Sequence, residues 1–294
     1  NSATHITILC GMIFSFIVCL ILSLQSKAFA DDARYDKNVN LFSSSGELLQ
    51  VQYARNAGLR GAPILCSQSA ENDIILCLPT PAAVQALQDR RSVEKVAKIG
   101  DGLWSAFSGL AGDGRALTRA ARQFCLDYSS KFGSNPSVRS VARHIGEVQH
   151  ESTLTGGKRP FGVQVVLIGE DEPDGKLTIY NSDPSGEISN WKALAIGQNS
   201  VQHMKLLESE WRPSLNRKEV TNLLIRAARI RAEDTGEEGE DRDGTKEVVS
   251  DVQGDASSET VKVDLYRFAA DKRSRRKTMT YYKSPDEMEA LIKE

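Results

Sequence analysis

The sequence predicts an α+β fold with four layers, in which two antiparallel sheets pack face to face between two pairs of helices. Strand-like and helix-like segments occur in separate runs instead of alternating one by one. Two helix-like runs, 113–132 and 137–154, carry apolar residues at spacings of three and four, the period of an amphipathic helix. The strand-like runs are short and are separated by turn residues such as those at 172–175 and 183–186. These observations favour α+β layering over a doubly wound parallel sheet.

Each predicted element ends at residues that interrupt its pattern. Gly58 lies where the first helix should stop, and the residues at 133–136 (Gly-Ser-Asn-Pro) separate the two long helices. The predicted elements, in chain order, are a helix over 46–58, a hairpin over 63–78, strands over 93–99 and 103–110, helices over 113–132 and 137–154, strands over 161–169, 177–180 and 188–196, helices over 200–211 and 216–232, strands over 261–265 and 279–282, and a closing helix from 284.

The composition is that of an ordinary globular protein. The 294 residues are 40% hydrophobic and 26% charged, with a formal net charge of −2, which gives no reason to expect nucleic acid as a partner. The five cysteines are dispersed and odd in number, so we expect buried, reduced thiols in place of a disulfide framework. His144 and His150 are six residues apart on one predicted helix, a spacing that does not suit a shared metal ion. We expect neither a metal nor a cofactor.

Two segments differ in composition from the rest of the chain. Residues 6–24 are almost entirely apolar and are followed by Ala28-Phe29-Ala30, a pattern typical of a signal peptide cleaved after Ala30. The same stretch is long enough for a membrane anchor, and a misassigned start or an unusual tail is a third alternative. We therefore separate residues 1–30 from a globular domain over 31–294, and expect membrane contact only if the apolar segment is retained. Residues 233–260 are acidic and polar, which predicts a disordered insertion.

Five groups of short motifs occur along the chain in a fixed order. They are Tyr35-Asp36-Lys37 with 42–48 (FSSSGEL) and 50–54 (QVQYA); 108–110 (SGL) with 113–115 (DGR); 157–163 (GKRPFGV); 183–186 (DPSG); and 191–193 (WKA) with 195–197 (AIG). In this order they resemble the signature motifs of proteasome alpha subunits, and the resemblance covers about residues 35–230. The family-motif positions are Gly46, Gln50, Ala54, Gly109, Arg115, Arg159, Pro160, Phe161, Gly162, Asp183, Pro184, Ser185 and Gly186.

The resemblance implies the four-layer αββα sandwich of N-terminal-nucleophile hydrolases, in agreement with the layers predicted above. It implies a non-catalytic subunit of the 20S proteasome core that contributes to ring assembly and to gating of substrate access in ubiquitin-dependent protein degradation. Its partners would be other alpha subunits in a seven-membered ring, the subunits of the beta ring, and regulatory particles, in cytoplasm and nucleus. Leu87-Gln88-Asp89-Arg90 and the Trp191-Lys192 pair are most similar to the fourth alpha type.

The catalytic groups of that fold class are absent from the expected positions. An N-terminal nucleophile needs a Thr, Ser or Cys exposed as the first residue, because the free α-amine acts as its base. The nearest counterpart here is Gly61-Ala62-Pro63, and alanine has no nucleophilic oxygen. The lysine expected shortly after the second strand is replaced by the residues at 78–81 (Leu-Pro-Thr-Pro). We therefore predict that the chain has no catalytic residue and is not itself an enzyme.

Two other motifs have plainer explanations than catalysis. Gly156-Gly157-Lys158 lacks the upstream glycine and the following Ser or Thr of a phosphate-binding loop, so it predicts a turn before the strand at Phe161. Asp113 and Arg115 fit the start of a helix better than an acid–guanidinium pair.

The resemblance also implies a gate and ring interface near the start of the domain. In the family, a Tyr-Asp pair, a proline and a second tyrosine hold the N-terminal tail, and Tyr35, Asp36 and Tyr53 match these positions. Lys37 replaces the usual arginine, and Ser44 replaces the proline. Serine lacks the fixed φ of proline and lysine lacks the planar fork of arginine, so we expect a looser cluster.

Thr80 lies where many alpha subunits carry a lysine that receives the C-terminal carboxylate of a regulatory ATPase. Without the lysine ammonium, we expect weak binding of such tails; the alternative is that only some pockets in a seven-subunit ring are used. A second hypothesis stays open on these grounds: a diverged paralogue in the secretory pathway or on a membrane, sent there by residues 6–30 and not incorporated into proteasomes.

The basic run 272–277 fits either a nuclear localisation signal or a turn between two strands.

Overall fold

Two five-stranded antiparallel sheets form the centre of the structure, a computed structural model that describes residues 38–80, 95–171, 176–230, 262–270 and 277–282. The elements of these ranges are α1 (Leu49–Leu59), β1 (Ile64–Gln68), β2 (Ile74–Thr80), β3 (Val96–Gly100), β4 (Leu103–Gly109), α2 (Ala111–Phe132), α3 (Val138–Leu154), β5 (Val163–Asp171), β6 (Lys176–Ser182), β7 (Ile188–Trp191), β8 (Ala193–Ile196), α4 (Ser200–Glu210), α5 (Arg217–Ala228), β9 (Lys262–Ala270) and β10 (Lys277–Tyr282).

The strand order fixes which helices cover which sheet. Sheet A has the order β10-β9-β2-β1-β8, and sheet B has the order β3-β4-β5-β6-β7. Helices α2 and α3 contact the strands of sheet B, whereas α4 and α5 contact β8, β1 and β2 of sheet A. The predicted four-layer αββα sandwich is therefore confirmed.

Three apolar clusters correspond to the three spaces between these four layers. Ile64 and Cys66 of β1 point into the space between the sheets, and Leu65 points to the helices on the other side. This is why β1 is a continuous apolar run, because both of its faces are buried. Trp104 and Phe268 bridge the two sheets, with ring centroids 5.0 Å apart. The third cluster joins sheet B to α2 and α3.

The helices begin and end where the sequence provides capping groups. Ser137 accepts a hydrogen bond from the Ser140 amide at the start of α3, and Asn216 and Glu219 form a reciprocal capping box at the start of α5. Gly133 ends α2 in the left-handed region at φ 68°, a conformation that costs glycine little.

One prediction about the strands is wrong. The sequence pattern predicts a single strand over 188–196, but this run forms β7 at the edge of sheet B and β8 at the edge of sheet A. The chain changes sheets at Lys192, whose carbonyl accepts a hydrogen bond of 2.8 Å from the Gln68 amide. Because no glycine or proline interrupts 188–196, the sequence pattern alone does not reveal the crossing.

A buried carboxylate ties β9 to the first hairpin. Asp73 Oδ2 lies 2.9 Å from Nε of Arg217 at the start of α5 and 2.9 Å from Nε of Arg267 in β9. Glu71 completes the network by pairing with Arg217 at 2.9 Å. These contacts fix the position of β9, although the chain reaches it through residues 231–261, which lie outside the described ranges.

Several predictions fall outside the described residues. They concern the apolar segment at 1–30, the acidic insertion at 233–260 and the closing helix from 284. Among the helices that the structure does describe, none is both long enough and apolar enough to cross a membrane.

Two glycines at the start of α2 provide a matched test of the packing between this helix and sheet B. A Cβ at position 114 would lie 2.2 Å from Cδ2 of Phe107, whereas a Cβ at position 112 would meet nothing within 4 Å. We expect Gly114→Ala to lower the free energy of unfolding by about 1–3 kcal/mol through overpacking.

We expect Gly112→Ala to raise the same free energy by up to about 1 kcal/mol, because alanine favours the helix. Urea denaturation of both variants measures the difference. Equal effects of the two substitutions would contradict the described contact between α2 and Phe107.

Candidate functional site

Four glycines meet at the end of the sandwich that α1 enters, and we call Gly61, Gly109, Gly162 and Gly197 the glycine junction. A Cβ on Gly61 would lie 2.1 Å from the Gly109 amide nitrogen, and one on Gly109 would lie 2.3 Å from the Gly162 carbonyl. Gly109 and Gly197 also have positive φ angles, of 120° and 86°. Only residues without a Cβ permit this contact of backbone with backbone.

The junction surrounds the position where an N-terminal nucleophile would lie. Ala62 precedes β1, and its carbonyl accepts a hydrogen bond of 2.9 Å from Ser108 Oγ. The Gly61 carbonyl accepts another, of 2.9 Å, from the Gln198 amide. The nitrogen of Ala62 belongs to an ordinary peptide bond, so this position provides neither a nucleophilic oxygen nor a free amine.

The lysine expected shortly after the second strand is also absent. Strand β2 ends at Thr80, and no lysine lies at this end of the strand. The residues that follow, at 81–94, lie outside the described ranges. Among the described residues, no group of three His, Cys, Asp or Glu side chains is arranged to hold a metal ion.

The two histidines of α3 make separate contacts. His144 stacks on Phe124 with ring centroids 4.6 Å apart, and His150 Nδ1 lies 3.2 Å from the Ser185 carbonyl. The expectation that they do not form a pair is consistent with these contacts.

Helix α1 is held against the end of sheet B by a packed face and by a salt bridge. Val51, Ala54 and Gly58 are buried at spacings of three and four. Arg55 donates from Nε to Asp183 Oδ2 at 2.8 Å, across 128 residues of sequence. The helix is therefore tied to the turn at 183–186.

That turn is organised by the carboxylate of Asp183. Asp183 Oδ1 accepts hydrogen bonds from the amide and the hydroxyl of Ser185, at 2.9 and 2.5 Å. Gly186 follows at φ 87°, where a Cβ would lie 2.5 Å from the Gly146 carbonyl of α3. Pro184 is buried between them. The turn thus links α1 with α3, and Arg55 is the contributor that the sequence analysis missed.

A second acid–guanidinium pair fixes the loop before β5. Arg159 donates from both terminal nitrogens to Asp113, at 2.6 and 2.8 Å, and the Gly162 amide donates to the same carboxylate at 2.9 Å. The expectation that Asp113 belongs only to a helix start is therefore incomplete. Arg115, two residues from Asp113, is exposed and does not form the pair.

This geometry determines the ionisation of Asp113. Burial raises its pKa, but the hydrogen bonds from Arg159 and the Gly162 amide and the charge of the guanidinium lower it more, so the net pKa is below the usual range. Pro160 and Gly162 are buried beside the pair, and Phe161 packs against the cluster beneath α2 and α3.

A shallow pocket of about 400 Å³ opens next to this loop. Asp113, Arg159 and Phe161 line one side, and the last turn of α3 lines the other. Lys158 pairs with Glu151 at 3.2 Å across it, as part of the predicted turn.

The predicted gate residues lie partly within the described ranges. Tyr35, Asp36 and Lys37 lie outside them. Ser44 is exposed and takes the second position of a turn closed by a hydrogen bond of 2.9 Å from the Gly46 amide to the Ser43 carbonyl. Ser43 Oγ also accepts from the Glu47 amide at 3.1 Å, so the turn forms without proline. Tyr53 is 49% exposed on α1.

Gln50 and Ala54 lie on α1 as well, with Ala54 on its buried face, and Gly46 closes the turn at φ 82°. The turn at Ser44 and the glycine junction therefore lie at opposite ends of the same helix.

The fold and the junction define a class of protein. The structure has the four-layer sandwich of the N-terminal-nucleophile hydrolase class. Ala62, in an internal peptide before β1, lies where the nucleophile would be, so the protein is a member of this class without a nucleophile. Residues 69–240 match a protein family described as "Proteasome subunit". The chain belongs to this proteasome subunit family, and its similarity to named alpha subunits makes it an alpha-type, non-catalytic member.

Three relatives illustrate the similarity. The chain is 35% identical over 195 residues to proteasome subunit alpha type-7 of Dictyostelium discoideum, covering 66% of this chain and 76% of the relative. It is 33% identical over 192 residues to proteasome subunit alpha of Aeropyrum pernix, with 65% and 73% covered. It is 32% identical over 197 residues to proteasome subunit alpha type-8 of Mus musculus, with 66% and 78% covered.

The Asp113–Arg159 pair makes stability depend on pH in a defined direction. The folded-state pKa of Asp113 lies below its unfolded value of about 4. The contribution of Asp113 to the free energy of unfolding is therefore fully present above about pH 4, and it is lost as the pH falls through the folded-state pKa. We expect Arg159→Ala to raise the pKa of Asp113, measured by carboxyl carbon NMR. Lys158→Ala is the control, because Lys158 pairs with Glu151, and it should leave the titration unchanged.

The turn at Ser44 tests the effect of the missing proline. Proline favours the second position of such a turn, and replacing serine there restricts the unfolded chain. We expect Ser44→Pro to raise the free energy of unfolding by about 0.4–1 kcal/mol in urea denaturation. Ser45→Pro, one position later in the turn, should not stabilise. Destabilisation by Ser44→Pro would mean that position 44 does not have the backbone conformation of the family turn.

Proposed function

We propose that the chain forms one position of the alpha ring of the 20S proteasome core and helps to gate substrate access, without cleaving substrate itself. The observation that carries this proposal is the continuity of the chain from α1 through the glycine junction. The place where a catalytic subunit would present a free amine is here an internal, hydrogen-bonded peptide. Its partners are other alpha subunits in a seven-membered ring, the beta-ring subunits and regulatory particles, in cytoplasm and nucleus.

The gate proposal rests on how α1 is anchored. Arg55 and the buried face of the helix fix its orientation, so the exposed Tyr53 is held at a defined place. Tyr35, Asp36 and Lys37 would meet Tyr53 and the turn at Ser44 and hold the tail away from the pore. The substitutions at 37 and 44 would make this arrangement less rigid than in relatives with arginine and proline.

Three finer proposals follow from the sequence. Thr80 in place of a lysine would weaken the capture of activator tails by this subunit. Residues 1–30 form a separate apolar segment and 233–260 an insertion within the domain. The assignment to the fourth alpha type stays a prediction, because the relatives carry the names alpha type-7, alpha type-7-B, alpha type-8 and alpha.

Affinity purification of the endogenous chain tests the function. We expect it to elute on a native sizing column in a very large particle, together with other alpha subunits and beta subunits. Sequencing of its N-terminus in that particle determines whether residues 1–30 are retained. The isolated chain should have no peptidase activity, and the Ala62→Thr variant should have none either, because its threonine would lack a free α-amine.

A small, processed species that starts near Asp31 and contains no beta subunits would contradict the proposal. It would support the alternative of a secretory or membrane-associated paralogue. Peptidase activity of the isolated wild-type chain would contradict the non-catalytic assignment.

A further inference from the structure

The fully buried face of α4 consists of one histidine and one leucine. His203 and Leu207 are four residues apart and lie on the same side of the helix. His203 is 2% exposed, so its imidazole is almost completely removed from water. The helix packs against β8 and α5, and Leu207 belongs to the apolar cluster between sheet A and this pair of helices. A titratable side chain therefore forms half of the fully buried face that holds α4.

Hydrogen bonding satisfies one nitrogen of this imidazole and leaves the other without a partner. Nε2 lies 3.4 Å from the carbonyl oxygen of Ile230, just beyond the end of α5. Because a carbonyl oxygen only accepts, Nε2 carries the proton of the neutral ring and Nδ1 is an acceptor. Nδ1 is buried and has no hydrogen-bond partner among the described residues. A second proton on Nδ1 would therefore create a buried donor without an acceptor, which costs free energy.

The described elements packed against His203 place no counter-charge beside it. Strand β8 contains no charged residue. The charged residues of α4, of α5 and of the turn after α5 are Lys205, Glu208, Glu210, Arg217, Lys218, Glu219, Arg226 and Arg229. Glu208 is exposed, and Glu210 pairs with Arg226. Glu219 takes part in the capping box at the opposite end of α5. A charged imidazole at position 203 would therefore be buried without a partner.

This environment determines in which direction acid acts. Burial lowers the pKa of His203 below its ordinary value, and the hydrogen bond to the Ile230 carbonyl opposes that shift only in part. When α4 separates from its neighbours, the imidazole regains an ordinary pKa of about 6.5. The separated form then binds a proton more tightly than the packed form. Acid therefore favours separation, an effect that is absent well above about pH 6.5 and grows as the pH falls towards the folded-state pKa.

We infer that His203 is an acid-sensitive switch: the neutral imidazole holds α4 against α5 and sheet A, and its protonation releases the helix. Release uncovers apolar side chains such as Leu207 and Ala227. The layer formed by α2 and α3 lies on the other sheet and stays packed. A neutral compartment keeps the helix packed, and an acidic one raises the population in which it is released. The switch belongs to the chain itself and does not require the proposed function.

Hydrogen exchange measured by mass spectrometry on the purified full chain tests the switch. Exchange is followed at pH 7.5 and at pH 5.5 and is corrected for the pH dependence of the chemical exchange rate. We expect the protection of amides in α4 to fall by up to about tenfold at the lower pH, the limit for one imidazole that is protonated only in the released form. Amides of α2 should keep their protection.

Two glutamine variants show whether His203 is the group responsible. In His203→Gln the side-chain amide can still donate to the Ile230 carbonyl, but it does not titrate. We expect its α4 amides to have the same protection at both pH values. His150→Gln removes an exposed histidine of α3 and should show the same loss as the wild-type chain.

Titration of the histidine Cε1 protons by NMR provides a second test that needs no variant. We expect one histidine of the wild-type chain to titrate below about pH 6.5, and a chain in which every histidine titrates at or above that value would overturn the inference. Equal protection of α4 at pH 7.5 and pH 5.5 in the wild-type chain would overturn it too, as would an undiminished loss in His203→Gln. Because all these measurements use the chain alone, their failure is distinct from absence of the chain from a proteasome particle.

Discussion

The close approach of backbones at the glycine junction is the constraint on which the rest of the structure depends. Gly61, Gly109 and Gly162 bring the end of α1, the end of β4 and the start of β5 within contact of one another. This contact positions α1 over sheet B and also surrounds Ala62 with neighbours that hold its peptide group. An internal, hydrogen-bonded peptide therefore lies where a catalytic amine would work, and Ala62 itself provides no nucleophilic oxygen.

Two acid–guanidinium pairs extend that constraint to the loops. Arg55 ties α1 to the turn around Asp183, and Arg159 ties the loop before β5 to the start of α2. Arg159 makes two hydrogen bonds to the Asp113 carboxylate, the arrangement that gives such pairs their geometric specificity. Arg55 donates one hydrogen bond to Asp183 and a second, of 3.3 Å, to the Ser185 hydroxyl. The loops at this end of the sandwich are thereby held in fixed positions relative to the sheets, as an interface in a ring requires.

The layers and the amphipathic helices were predictable because each depends on a local pattern. The period of α2 is set by residues such as Leu117, Ala121 and Cys125, and the sequence alone contains that period. The partners of Asp113 and Asp183 were not predictable, because Arg159 is 46 residues away and Arg55 is 128 residues away. The division of 188–196 between two sheets was missed because no glycine or proline separates β7 from β8. Long-range pairing is a property of the fold and not of any window of sequence.

The proposed place in the alpha ring and the proposed gate both depend on where the chain lies in an assembly. Electron cryo-microscopy of the particle purified through this chain measures that location directly. We expect density for the chain within an outer seven-membered ring, with α1 near the pore and an intact peptide at Ala62. Density for the chain in an inner, catalytic ring, or a particle without a seven-membered ring, would contradict it.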